Sequence, residues 1–344
     1  MDGVQRWPVR AFVGGGLLAL AAAFGAGVLP APRFSDWWAP PLQVRKSAIA
    51  LESLPDVDEF AFRPLRATRF ALGDDESEIG FLQVTYAEAD GTERVALLHP
   101  PAPDAGEGGE TRWKWWMQTA AAIRKHTQPS DPIIAWWDNS QRIRLLTGRP
   151  VWFTGPDESV FPPQERPFWR EIAGGFASRS EASNRLARAL TAPVDEAIAS
   201  LRAALPRDGS SALLTVSTDD LARAAEFEAA GGRRLPIESR VFTMSTNLHG
   251  TIGSVRRWAS EAGPGSYLVQ PLPGQRVRAW RLTDAAALDW LLVRALPFST
   301  SLYRPIDGAD LVYQSAGGGY LSVYRLRGYE ATEAERPDRH VAAR

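Results

Sequence analysis

The residues best equipped for chemistry stand in one run, Ala135-Trp136-Trp137-Asp138-Asn139-Ser140-Gln141-Arg142-Ile143. Two adjacent indoles offer flat walls and N–H donors. Asp138 adds an acceptor, and Gln141 and Arg142 add donors. Trp136, Trp137, Asp138, Asn139, Gln141 and Arg142 are therefore the candidate ligand- or partner-binding set. The same residues also have a purely structural reading, with Trp136 in the core, Asp138 capping a helix and Arg142 paired to an acid. A second aromatic cluster, Trp113-Lys-Trp-Trp116, sets Trp113, Trp115 and Trp116 beside Lys114. Exposed, those rings would form an interface with a partner or a membrane surface; packed, they would begin a core helix.

Other chemistries find little support. The chain has no cysteine, which excludes disulfides, thiolate metal sites, Cys-x-x-Cys-His haem attachment and a cysteine nucleophile. No two of His99, His126, His249 and His340 lie at helical ligand spacing, and the three Met are scattered, so neither a metal nor a cofactor is expected. There is no Gly-x-Ser-x-Gly elbow. Gly317-Gly-Gly319 lacks a following Lys-Ser/Thr and reads as a hairpin turn, not a phosphate loop. Asp74-Asp75 and Asp219-Asp220 read as solvated charge at loops or helix starts. A net charge of −1, from 39 basic and 40 acidic side chains, argues against broad binding to nucleic acid. No catalytic residue is assigned.

The elements that would position the central run follow from local pattern. Pro132-Ile-Ile-Ala-Trp136 suits a short buried strand, and Asn139 to Thr147 a short helix capped by Asp138 or Asn139 and stopped by Gly148. Open α/β sheets hold ligands at the C-terminal ends of such strands. Upstream, Phe81 to Ala87 and Glu93 to Leu98 read as strands around an Asp-Gly turn, followed by a Pro/Gly/acid loop from Pro100 to Glu110. Downstream, Pro150 to Phe153, Ala212 to Val216, Arg240 to Met244, Tyr267 to Leu272 and Arg276 to Leu282 read as strands. Helices are expected over Ser180 to Leu190, Val194 to Leu205, Asp219 to Ala230 (capped by Ser217 or Thr218), Ile252 to Ala262 and Asp284 to Leu296. Ala309 to Tyr313 and Tyr320 to Leu326 would close as a hairpin. The alternation predicts an α/β body with a mixed, Rossmann-like sheet and β-hairpins.

Ala11 to Leu29 is an unbroken run of 19 uncharged residues, long enough to cross ~30 Å of hydrocarbon. Arg6 and Arg10 precede it, which on the positive-inside rule keeps the N-terminus in the cytoplasm and sends the body outside. A cleaved signal peptide is the alternative, but Val28 to Arg33 offers no clean small-x-small cleavage site. The expected organisation is a cytoplasmic segment 1–10, a transmembrane anchor 11–29, a linker 30–48, a β-rich region 49–128, an α/β domain 129–329 and a disordered tail 330–344. The body would then lie in the periplasm, fixed to a bacterial inner membrane by one pass.

Two resemblances attach to the central run. Asp131 to Thr154 is similar to the Trp-Trp-Asp segment of the oligosaccharyltransferase catalytic subunit, which recognises the acceptor hydroxyl of a peptide sequon. Trp136, Trp137 and Asp138 match it, while Asn139 and Ser140 stand where that family has Tyr and Gly. The many membrane spans that carry that family's catalytic acids have no counterpart here. Over most of its length the chain resembles the hydroxylamine oxidation protein HaoB family, through similar length, one N-terminal anchor, an exported body and a Trp-Trp-Asp-Asn-Ser-Gln-Arg-Ile-like segment. That resemblance implies a multihaem hydroxylamine oxidoreductase of ammonia or methane oxidisers as protein partner. It implies an accessory role in assembling, docking or tethering that enzyme during hydroxylamine oxidation. The competing expectation is an exported ligand- or peptide-binding domain, or an enzyme, built on the Trp-Trp-Asp segment.

Overall fold

The computed structural model describes residues 5–7 and 42–327, apart from 73–78, 99–105, 162, 164, 178–179, 206–210, 245–247, 273–274 and 317–319. The expected anchor at 11–29, the tail 330–344, Asp74-Asp75 and Gly317 to Gly319 lie outside the described residues. Among those described, no helix is long and apolar enough to cross a membrane.

Strands rich in β-branched and aromatic residues come first and pair in chain order. β1 (Gln5–Trp7), β2 (Leu42–Ile49), β3 (Pro64–Leu72), β4 (Ile79–Ala87) and β5 (Glu93–Leu98) form an antiparallel five-stranded sheet. β2 thus takes up the last residues of the expected linker. Gly91, at φ +81°, donates its N–H to Glu88 O at 2.9 Å, closing the turn expected between β4 and β5. Next comes α1 (Gly106–His126), which already claims the end of the expected Pro/Gly/acid loop.

A second sheet runs β11 (Ala309–Gln314), β12 (Leu321–Leu326), β7 (Ala212–Ser217), β6 (Ile133–Ile134). β11–β12 is the expected hairpin, with a register shift between Leu311 and Tyr313. Among the described strands, only β6 and β7 pair in parallel, so the Rossmann-like expectation reduces to one parallel strand pair in a mixed sheet. Pro150 to Phe153 contributes a single bridge, Val151 to Ile133, instead of a strand. β8 (Ile237–Thr243), β10 (Arg276–Leu282) and β9 (Tyr267–Leu272) make a small antiparallel sheet with β10 central.

The remaining α-helices among the described residues are α2 (Trp137–Thr147), α3 (Arg166–Ile172), α4 (Glu181–Leu190), α5 (Val194–Arg202), α6 (Ala224–Ala229), α7 (Leu248–Glu261) and α8 (Leu291–Ala295). Ser180 caps α4 by accepting from Ser183 N. Two expected helices are broken. Asp219 to Ala230 starts as a 3-10 turn over Thr218–Arg223 before α6. Asp284 to Leu296 divides into a 3-10 turn Ala285–Asp289 and α8, with Trp290 extended between them. The cause is tertiary: Trp290 bridges to Pro193, and Leu291 N–H donates to Ala192 O at 2.9 Å.

Side-chain alternation on β6 and β7 builds two cores on opposite faces of their sheet. Ile134 and Leu214 join Trp136, Trp137, Phe153, Phe227 and the helices α4, α5 and α8. Ile133 and Leu213 join Leu321 and Val323 with Trp113, Trp116, Met117 and Ile123 of α1. Both cores also draw on the five-stranded sheet, through Val44, Phe70 and Leu97 in one and Leu82, Val84 and Ala96 in the other. Residues on either side of position 128 therefore share each core.

Candidate functional site

The central run lies where β6 ends and α2 begins. Trp136 is the N-cap, with extended backbone and no capping side chain, and its carbonyl accepts from Ser140 N at 2.7 Å. Asp138 and Asn139 are thus inside the first turn, two and three residues past the capping position expected of them. Gly148, at φ +69°, ends α2 as expected and donates its N–H to Arg144 O at 2.9 Å.

Every candidate residue of the run is buried: Trp137 and Asn139 at 0%, Asp138 at 1%, Gln141 at 2%, Trp136 and Arg142 at 4% exposure. Their partners come from this chain. Helical spacing brings Arg142 to Asp138, with Nη1 3.3 Å from Oδ2. Arg142 also donates to Asn139 Oδ1 (2.7 Å) and Leu97 O (2.7 Å). Arg223 donates to Asp138 Oδ2 at 3.1 Å and to Glu226 Oε1 at 2.8 Å. Glu226 Oε2 accepts from both indoles, Trp136 and Trp137, at 2.8 Å each. Gln141 ties three segments together, accepting from Leu97 N and donating to Thr154 O and Ala173 O. Rings cover the charges: Arg223 lies 5.2 Å from the Trp137 centroid and Arg142 5.2 Å from that of Trp116.

The network continues around the end of β7. Asn139 Nδ2 donates to Ser217 Oγ (3.2 Å) and Asp220 Oδ1 (3.1 Å), while Ser217 N donates to Asp220 Oδ2 (2.6 Å). Asp219 accepts from Arg112 Nη2 at 2.7 Å and from Tyr320 Oη at 2.6 Å, and Arg112 also contacts the Tyr320 hydroxyl. Asp219-Asp220 is therefore not solvated charge. Asp220 is 1% exposed, and Asp219 sits in a half-buried ion pair.

Burial and charge pull these groups apart. Burial pushes the Asp138 carboxyl up, but the Arg223 and Arg142 guanidiniums outweigh it and hold it below its ordinary range. Burial, reinforced by Asp138, drives Asp220 well above that range. Burial lowers Arg142 despite its pairing with Asp138, whereas in Arg223 the Glu226 and Asp138 carboxylates overcome burial and raise it.

The second aromatic cluster is mostly internal. Trp113 (6% exposed) and Trp116 (4%) lie in the core under α1, and Trp113 Nε1 donates to Asp56 Oδ2 at 2.9 Å. Only Trp115 is half-exposed, its centroid 4.9 Å from that of Tyr320. Of the two readings the cluster allows, Trp113 and Trp116 follow the one in which the run packs into the core as part of a helix. Among the described residues, no group of three His, Asp or Glu side chains is placed to hold a metal ion.

Sequence reasoning missed Arg223 and Glu226. Their i, i+3 spacing was visible, but nothing local pointed to Asp138, 85 positions away. Arg112 and Arg278 (2% exposed) were missed for the same reason.

Residues 10–326 match the family model described as HaoA-associated protein HaoB. The chain belongs to the HaoB family. That match takes in the whole of the central run and every element from β2 to β12. Among curated proteins there is no match. A solved structure, the C-terminal domain of C. jejuni PglB, is similar at TM-score 0.35 and 9% identity, over 61% of this chain and 98% of that domain.

Proposed function

We propose that this chain is an accessory protein that docks HaoA, the multihaem hydroxylamine oxidoreductase that the family resemblance implies, and acts through protein–protein contact. The observation that carries this reading is the family match over residues 10–326, under a description that names HaoA as the associate. The engagement of the Trp-Trp-Asp run with its own chain supports it, because those side chains are committed to holding α2, β7 and α6 together. In this reading assembly, docking or tethering of the oxidoreductase takes place in the periplasm, with residues 11–29 as the membrane anchor.

The exposed end of the turn after α8 supplies a point of contact. Tyr303 is fully exposed and sits at φ +63°, beside Leu302 at 49% exposure. A bulky residue in the left-handed region costs roughly 1–3 kcal/mol, a strain that tends to persist at functional positions. Aromatic side chains of this kind are enriched among interface hot spots. A tagged chain is expected to retain HaoA on affinity purification, and Tyr303→Ala is expected to lower the retained amount roughly tenfold, as loss of a hot spot does. HaoA passing through the column at low and high salt alike would overturn the reading.

A further inference from the structure

The seam between the end of β7 and the small sheet holds buried donors that lack an acceptor. Arg278 on β10 and Gln270 on β9 are cross-strand partners, at 2% and 8% exposure. Gln270 Nε2 reaches Thr218 Oγ1 at 3.4 Å, which fixes this face of the sheet against the turn after β7. The next residue of that turn is Asp219, held by Arg112 and Tyr320. Three donor atoms here are buried with no hydrogen-bond partner among the described residues: Nη2 of Arg278, Nε1 of Trp280 and Nε of Arg112. Trp280 lies two residues along the same strand face, its centroid 5.7 Å from the Arg278 guanidinium.

Charge points the same way. The guanidiniums of Arg112, Arg142, Arg223 and Arg278 outnumber the carboxylates of Asp138, Asp219 and Glu226, with Asp220 driven toward its neutral form. Burial brings Arg278 down to about 10, a fall that Asp219 opposes and Arg112 deepens, so it remains cationic at neutral pH. A buried guanidinium without a full set of acceptors is costly, and its planar fork matches a planar anion through paired hydrogen bonds.

We propose that Arg278, Trp280 and Arg112 form a buried binding site for a small planar oxyanion, a carboxylate or an inorganic ion of that shape. The anion accepts from Arg278 Nη2 and Trp280 Nε1 and balances the surplus positive charge between β10 and β7. The site stands apart from the docking reading, since it concerns the isolated chain.

Thermal melting of the purified chain tests the site, with formate, nitrate or sulfate exchanged for chloride at constant ionic strength. Formate and nitrate are expected to raise the midpoint by several degrees in a saturable way, and tetrahedral sulfate to raise it less. Arg278→Met is expected to abolish the response and to melt no lower than wild type without anion, because it removes an under-compensated charge. Trp280→Phe keeps the ring, removes one donor and is expected to weaken anion binding several-fold at an unchanged anion-free midpoint. The proposal fails if wild type shows no saturable response. It fails equally if Arg278→Met and Trp280→Phe respond like wild type, the mark of an adventitious ion only. An Arg278→Met midpoint below wild type with the anion response intact would make Arg278 structural and also overturn it.

Discussion

At the scale of single residues, Glu226 decides most. Its two oxygens accept from Arg223, Trp136 and Trp137, and it is 1% exposed. Glu226→Gln sets an amide N–H₂ against either the indole donors or the guanidinium. Breaking a buried pair in this way costs about 3–5 kcal/mol. The exposed pair Arg233–Glu196, at 54% and 62% side-chain exposure, is expected to contribute about 0–1 kcal/mol. Urea unfolding of Glu226→Gln and Arg233→Gln measures the contrast, and equal losses would mean that the network is not the keystone claimed. Glu165 sets a pH dependence. Burial pushes its carboxyl up to about 7, opposed by the Trp169 N–H. A carboxyl raised in the folded state binds its proton more tightly there than when unfolded. Its contribution is therefore present below about pH 4.5 and is lost as pH rises through about 7. Melting midpoints of wild type are expected to fall across that window relative to Glu165→Gln, and parallel curves would contradict this. The Trp-Trp-Asp run was conspicuous in the sequence as a cluster able to bind something. That it binds Arg223 and Glu226 was not legible, because the partners are brought in by the return of the chain through β7.

Among the elements, those whose signals are local were readable. The β4–β5 hairpin follows from alternation around Asp90-Gly91, β9 and β10 have the bounds expected of them, and Gly148 stops α2. Elements shaped by distant backbone were not. Trp290 is extended because Pro193 bridges to it, and no property of residues 284–296 carries that information. The packing of α7 on the small sheet is a similar long-range fact. Gly263, at φ +106°, leaves α7 with no room for a side chain, since a Cβ there would lie 2.3 Å from Leu282 O. Gly231, at φ +86°, opens onto free space, with no atom within 4 Å of the place a Cβ would take. Gly263→Ala and Gly231→Ala thus share the left-handed backbone penalty, about 1 kcal/mol or more, and differ in the clash. The Gly263 variant is expected to lose clearly more stability by urea unfolding; equal losses would show that α7 can shift off β10 at little cost.

For the whole molecule, the two shared cores make the five-stranded sheet and the central sheet one cooperative body, so a single unfolding transition is expected over both. Topology in the cell is a separate matter. One membrane pass at 11–29 puts Gln5 to Trp7 across the bilayer from the body, whereas β1 pairs those residues with β2. The two arrangements exclude each other in any one state. Because the chain has no cysteine, Gln5→Cys and Asp307→Cys can be labelled singly in intact cells with an impermeant thiol reagent. The anchored arrangement predicts labelling at 307 and protection at 5; equal labelling would favour the β1–β2 pairing and remove the anchor. The turn that carries Tyr303 has a practical corollary. An aromatic side chain standing wholly clear of the surface is a ready target for chymotrypsin. Nicking after this residue would fall between α8 and β11, and shielding of that bond on titration with HaoA would serve as a footprint of occupancy without any label.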